Sequence, residues 1–255
     1  MTQPILQVQD LSMRFGGLLA VNQVALTVNK GQIVSMIGPN GAGKTTVFNC
    51  LTGFYQPTGG TILFEGEPIQ QLNGYKISRK GMIRTFQHVR LFKEMTLLEN
   101  LLVAQHQHLN THFLAGLFNT PSYRRAEREA RERAANWLER VDLLAHANRE
   151  AGTLAYGQQR RLEIARCMVT QPRLLMLDEP AAGLNPSETE DLKQLILELR
   201  DQDQMTVLLI EHDMKLVMHL SDRIFVINQG TPLADGTPDE IKNNPDVIKA
   251  YLGEE

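Results

Sequence analysis

The chain has 255 residues, of which 42% are hydrophobic and 22% charged, and its formal net charge is −3. That length buries an ample core, in one large domain or two small ones, and that charge excludes a global field drawing the protein to nucleic acid or anionic lipid. The longest aliphatic runs, such as 207-VLLI-210, fall far short of the roughly 20 residues that a membrane helix needs. The first residues, MTQPILQVQD, lack the basic-then-apolar order of a secretory signal. Cys50 and Cys167 lie far apart, each within a predicted helix, and read as small buried hydrophobes in a reducing compartment. A cytoplasmic location is expected.

In chain order, residues 5–36 alternate short β-like runs with turns: ILQVQDL, AVNQVALTV and QIVSMI. The last run enters a Gly-rich loop, 38-GPNGAGKTT-46. A helix follows over 44-KTTVFNCLTG-53, with Gly53 as its stop. A glycine turn at 59–60 leads to another strand, TILFEG. From about 88 to 170 the chain becomes largely helical. There, 96-TLLE-99 forms a capping box, and from Ser122 the residues Ala126, Ala130, Ala134, Trp137, Leu138 and Val141 share one helix face. Glu127 with Arg131, Arg128 with Glu132 and Glu129 with Arg133 stand at i,i+4, which reads as a solvated face.

Beyond 171 the strand-helix rhythm resumes. A buried strand, 174-LLML-177, precedes a helix with Asn185 as N-cap, Pro186 in the first turn and an apolar stripe of Leu192, Leu195, Ile196 and Leu199. A strand at 206–211, a helix at 213–220, a strand at 223–228 and a short C-terminal helix complete the chain. This alternation predicts an α/β core with a parallel, covered sheet. A helical subdomain at 88–170 is inserted between 1–87 and 171–255 of that core, and there are no internal repeats or low-complexity tracts.

The loop fits G-x-x-x-x-G-K-[ST], and its place between a strand and a helix is the context that a phosphate-binding loop requires. Gly38, Pro39, Asn40, Gly41, Ala42 and Gly43 let successive amides turn inward around an anion at a helix N-terminus. Lys44 supplies a point charge to the β- and γ-phosphates, Thr45 offers a hydroxyl to a magnesium ion, and Thr46 ends the run. In 174-LLMLDE-179, Asp178 emerges at the carboxyl end of its strand, where such sheets bind ligands. It is placed to hold magnesium, and Glu179 to polarise an attacking water. Taken alone, Gln87 and His212 read as structural or solvated residues. His106, His108 and His112 cluster without a Cys or carboxylate partner, and read as surface histidines rather than a zinc site.

The order of the phosphate loop, 85-TFQHV-89, 154-LAYGQ-158, 178-DEP-180 and 211-EHD-213 resembles an ABC-type ATPase domain over essentially the whole chain. The resemblance implies a P-loop NTPase core with a mostly helical insert, ATP and Mg2+ as cofactors, and a sandwich of two subunits around two ATP molecules. It also implies roles by position. Phe15, in 14-RFGG-17, matches the aromatic that stacks on adenine, with a core phenylalanine as its alternative. Gln87 matches the hinge residue that touches magnesium and water and senses the membrane partner. His212 matches the switch histidine at the γ-phosphate, and 182-AGLN-185 the loop that crosses the dimer interface.

Ala155, Tyr156, Gly157 and Gln158 match the signature that caps the ATP of the partner subunit, normally worded Leu-Ser-Gly-Gly-Gln. Ala155 lacks the serine hydroxyl, a hydrogen bond to charged phosphate of roughly 1.5–3 kcal/mol. Gly157, Gln158 and the helix N-terminus after them are retained, so a degenerate but working signature is expected. Tyr156 implies that its position does not adopt a positive φ.

RTFQHVRLF, LAYGQQRRLEIAR, LDEPAAGLNP and LIEHDMKLVM together resemble one branch, the ATP-binding subunits of bacterial branched-chain amino acid importers. For that branch the implied partners are two transmembrane permeases, a second, similar ATPase in a heterodimer (a homodimer being the alternative) and, indirectly, a periplasmic substrate-binding protein, at the cytoplasmic face of the inner membrane and without nucleic acid. The alternatives are a lipid or lipopolysaccharide exporter ATPase, a cytosolic ABC ATPase without a transport role, and a nucleotide switch that does not turn over; Glu179 argues against the last.

Overall fold

The computed structural model describes residues 4–105 and 121–252. The chain divides into two compact units, one of Met1–Arg84 with Arg173–Glu255 and the other of Thr85–Pro172.

The first unit begins with the long strands β1 (Pro4–Phe15) and β2 (Leu18–Asn29), followed by the short buried strand β3 (Ile33–Ile37) and helix α1 (Lys44–Leu51). Strands β4 (Gly59–Phe64) and β5 (Glu67–Pro68), helix α2 (Gly74–Arg79) and strand β6 (Met82–Arg84) complete its N-terminal half. The pair Gly59–Gly60 lies inside β4 and is not the turn expected from the sequence. Gly60 has φ +90°, and a Cβ there would stand 2.6 Å from the carbonyl oxygens of Gln9 and Asp10. Glycine is required here because the paired strands β1 and β4 approach closely at an irregularity in their register, between Gln9 and Ser12.

The second unit contains helices α3 (Leu97–Gln105), α4 (Pro121–Arg140) and α5 (Tyr156–Met168). The Thr96 hydroxyl accepts the Glu99 amide at 3.2 Å, and the Glu99 carboxylate accepts the Thr96 amide at 2.8 Å, so the expected capping box forms. Asn100 is fully buried. Its Oδ1 accepts the Phe92 amide at 2.9 Å, and its Nδ2 donates to the carbonyls of Phe92 at 2.9 Å and Thr96 at 3.0 Å.

On α4, Ala130, Ala134 and Leu138 are buried, as is Val141 just beyond the helix end, while Ala126 and Trp137 are half-buried. Glu127 pairs with Arg131 at 2.9 Å as expected. Glu129 pairs instead with Arg125 at 2.9 Å, because Arg133 turns to the buried Gln105 and donates to its Oε1 at 3.0 Å. A buried amide oxygen needs a donor more than a solvated carboxylate does.

The chain then returns to the first unit through β7 (Leu174–Asp178), α6 (Pro186–Asp203), β8 (Thr206–Ile210), α7 (Met214–Leu220) and β9 (Arg223–Asn228). It ends with β10 (Thr231–Gly236), α8 (Pro238–Lys242) and α9 (Pro245–Leu252), where the sequence suggested one short helix. Asn185 caps α6, accepting the Glu188 amide at 3.0 Å, and its stripe of Leu192, Leu195, Ile196 and Leu199 is buried.

Two sheets result, ordered β2-β1-β4-β5 and β10-β9-β3-β8-β7-β6. The second is parallel except for β10. Strands β3, β7 and β8 are buried at every residue, as strands covered on both faces must be. Val47, Phe48 and Leu51 of α1 share one core with Leu6, Val24 and Ile62 from the first sheet and Met36, Met176 and Leu208 from the second. This packing fixes the start of α1 at the carboxyl ends of the parallel strands. Among the described residues, no helix is long and apolar enough to cross a membrane. His106, His108 and His112 lie outside the described residues.

Replacing Asn100 by alanine leaves buried backbone groups of the 92–96 turn without partners. The expected cost is about 1–3 kcal/mol, read as a lower urea midpoint with faster amide exchange at residues 92–96; an unchanged midpoint would contradict the role assigned to Asn100.

Candidate nucleotide site

Strand β3 delivers the chain into the loop at 38–46, and the loop runs directly into α1. Gly38 has φ +156°, and a Cβ there would lie 2.0 Å from the carbonyl oxygen of Ile227 on β9, so no side chain fits. Gly41 and Gly43 follow with φ +80° and +102°, and no side chain caps the start of α1. The first amides of a helix have no intrahelical partners, and here they stand where the loop bends around them.

Lys44 opens α1 and is buried. Its Nζ donates to the carbonyls of Gly38 at 2.7 Å and Pro39 at 3.0 Å, spanning the loop. Burial pulls its pKa below the usual lysine value, while the charge of Glu179 acts in the opposite direction. A backbone nest, a helix N-terminus and a desolvated cation together favour a multiply charged anion.

The loop faces a cavity of about 530 Å³, whose lining also includes Phe15, Leu18, Glu179 and Gln229. Phe15, at the end of β1, is 41% exposed, which removes the core-phenylalanine alternative. Its ring meets Tyr55 edge-on, with centroids 5.1 Å apart and planes at 78°. An open aromatic face beside a phosphate loop suits a base.

Asp178 ends β7, buried at 5% exposure, and its Oδ2 lies 2.6 Å from Nη2 of Arg84 at the end of β6. Arg84 also donates to Asn49 Oδ1 at 2.8 Å and Thr52 Oγ1 at 3.2 Å. Sequence reasoning missed Arg84; the available signal was a cation closing a short apolar stretch, 82-MIR-84, just before Gln87. Glu179 has φ +47°, an uncommon conformation for glutamate, and its amide donates to the Ile210 carbonyl at 2.9 Å. Strained backbone of this kind persists where the surroundings over-determine it.

The Thr45 hydroxyl and the Asp178 carboxylate are hard oxygen donors, and the described residues contain no group of three or more His, Cys, Asp or Glu that would hold a metal unaided. That donor set fits a magnesium ion whose shell is completed by water and substrate phosphates. His212 is exposed two residues beyond the end of β8, whose Ile210 is registered with Asp178.

The remaining candidates belong to the second unit. Gln87 is exposed, and its backbone carbonyl accepts Nη2 of the buried Arg160, while Nη1 donates to the Phe86 carbonyl at 2.8 Å and to Glu163 at 2.9 Å. Glu163, in turn, accepts the Arg90 amide at 3.1 Å. Burial raises the Glu163 pKa, while the Arg90 amide and Arg160 lower it. Arg160 and Glu163 also escaped sequence reasoning, since a charged helix residue ordinarily reads as solvated.

Ala155 stands at the N-cap of α5 with no side-chain cap, and its own amide donates to Gln158 Oε1 at 3.2 Å. Half of a capping box therefore forms, and the missing half is the hydroxyl that alanine lacks. Tyr156 is the first residue of α5, its ring 5.7 Å from the Arg160 guanidinium, and Gly157 is buried. A bulky residue fits position 156 because its φ is not positive. The structure thus gathers Phe15, the 38–46 loop and Glu179 around one cavity, sets Asp178 beside Glu179, and carries Gln87 and Ala155–Gln158 on the other unit.

The profile of the family described as ABC transporter matches residues 21–182, more than half of the chain, and that of the branched-chain amino acid ATP-binding cassette transporter matches residues 231–255. The chain is 75% identical over 254 residues, with 100% of both sequences covered, to the high-affinity branched-chain amino acid transport ATP-binding protein BraF of Pseudomonas aeruginosa. It is 69% identical, with the same coverage, to the transport ATP-binding protein LivG of Escherichia coli. Among solved structures, an ATP-binding cassette of an ABC transporter in its ADP conformation aligns with TM-score 0.85 at 34% identity, over 99% of this chain and 100% of that one. A nucleotide-free cassette aligns with TM-score 0.84 at the same identity and coverage. The chain belongs to the ABC transporter family, as one of its ATP-binding cassettes.

Proposed function

We propose that the chain is the ATP-hydrolysing motor subunit of an importer for branched-chain amino acids. The observation that carries the hydrolytic reading is the single cavity lined by the phosphate loop, Lys44, Phe15 and Glu179. The substrate class rests on the full-length similarity to transport proteins named for branched-chain amino acids.

In this reading Phe15 stacks on the adenine, and the amides from Gly38 to Gly43 receive the phosphates with Thr45 and Thr46. Lys44 exchanges its bonds to the Gly38 and Pro39 carbonyls for bonds to the β- and γ-phosphate oxygens. Thr45 and Asp178 would hold Mg2+, with Gln87 touching it as the resemblance implies, and the ion would neutralise charge on the phosphates. Glu179 accepts a proton from the attacking water, and His212 contacts the γ-phosphate. Ala155, Tyr156, Gly157 and Gln158 cap the ATP of a second, similar ATPase subunit, with α5 directing its N-terminal dipole at that anion. The helical subdomain expected at 88–170 falls within the second unit, Thr85–Pro172, and is read as an insert in the α/β core. Two permease subunits supply the membrane spans, a periplasmic binding protein delivers the amino acid, and this chain works at the cytoplasmic face.

Glu179→Gln is expected to lower turnover by at least about 100-fold while ATP binding and ATP-dependent pairing persist, measured by phosphate release and by gel filtration with and without nucleotide. Near-normal phosphate release would remove Glu179 from the mechanism. Ala155→Ser restores a potential donor worth about 1.5–3 kcal/mol and is expected not to lower the ATPase rate. A large drop would show that the site geometry has been re-optimised without the hydroxyl.

A further inference from the structure

Glu211 directly follows β8 and is 1% exposed. A buried carboxylate is costly unless it is hydrogen-bonded, and this one is held by main-chain amides. Its Oε1 accepts the Ala181 amide at 2.8 Å, and its Oε2 accepts the His212 amide at 3.1 Å. Burial raises its pKa, and the amides that face it act in the opposite direction.

The bridged segments both bear on hydrolysis. Ala181 lies two residues beyond Glu179, in the loop that closes on itself through Ala182 to Glu179 at 3.1 Å and Leu184 to Ala181 at 3.1 Å. Asp213 caps α7, its Oδ1 accepting the amides of Lys215 at 2.9 Å and Leu216 at 3.2 Å, so the turn that presents His212 is fixed from its far side. The Glu179 amide bonds to the Ile210 carbonyl, immediately before Glu211. Three main-chain amides, at 179, 181 and 212, are thus tied to positions 210 and 211.

We propose that Glu211 is a positioning residue of the hydrolytic reaction: a buried carboxylate bridge that holds the Glu179 loop and the His212 turn in one register. It touches no substrate. Its two oxygens set the spacing between the segment that activates water and the segment that contacts the γ-phosphate. This inference rests on the ATPase reading above.

Glu211→Gln keeps the volume but presents one acceptor and one donor, so one bridged amide meets an N–H group; Glu211→Leu removes both acceptors. In the full-length chain, kcat for ATP is expected to fall about tenfold for Gln and further for Leu, a tenfold loss corresponding to one hydrogen bond of ordinary strength. KM for ATP and binding of a fluorescent ATP analogue should stay at the wild-type value, because the phosphate loop is untouched. Amide exchange should quicken at Ala181 and His212. Should Leu fail to fold, the Gln variant alone decides. A kcat that stays at wild type while exchange at Ala181 and His212 rises would overturn the proposal, as would a parallel loss of ATP binding. Glu179→Gln is assayed alongside: if it hydrolyses like wild type, the ATPase reading has failed, and with it the premise for Glu211.

Discussion

The first unit is organised by a backbone crossing that leaves no room for a side chain. At residue 38 the chain passes so close to β9 that a Cβ would stand 2.0 Å from the Ile227 carbonyl oxygen. This proximity depends on β3 and β9 being parallel neighbours, and on α1 being clamped by a core drawn from both sheets. Given that crossing, the loop bends around the free amides at the head of α1, and a desolvated lysine bridges its carbonyls. The cavity that Phe15 and Glu179 also line lies against this loop.

Around this loop the charges are arranged by burial. Asp178 and Arg84 form a buried ion pair, with Arg84 also held by Asn49 and Thr52 beside α1. Removing one member of such a pair leaves a buried charge without compensation, so the strand end that carries Asp178 is mechanically tied to α1. One residue later Glu179 takes a left-handed backbone, held by its bond to Ile210. Glu179 thus sits on left-handed backbone just past β7, tied to the end of β8. In the second unit, Arg160 and Glu163 anchor the backbone of residues 86, 87 and 90 to α5.

Much of this was legible from local sequence. The loop is read from a contiguous motif; the capping box at Thr96 and the cap at Asn185 need only near neighbours, the stripe on α6 needs only helical spacing, and the box, the cap and the stripe all formed. What was hidden depends on distant partners. Arg84 and Asp178 are 94 residues apart, Ala181 and Glu211 are 30 apart, and Arg160 is 74 from Phe86. No local spacing announces such bonds. The same reason explains the misread glycines: Gly59 and Gly60 look like a turn until β1 is seen to press against them. Glu129 pairs with Arg125 and not with Arg133 because the buried Gln105, on another helix, takes Arg133.

The proposed transport role requires membrane partners for this cassette. The most direct measurement is capture of the chain from gently solubilised membranes, identification of every polypeptide that co-purifies, and assay of ATP hydrolysis by the captured complex with leucine and its binding protein. The expected result is recovery of two multispanning proteins and a second ATPase, with hydrolysis stimulated by loaded binding protein. Recovery with ribosomal or DNA-associated partners instead, and no permease, would contradict the transport role while leaving the nucleotide chemistry intact.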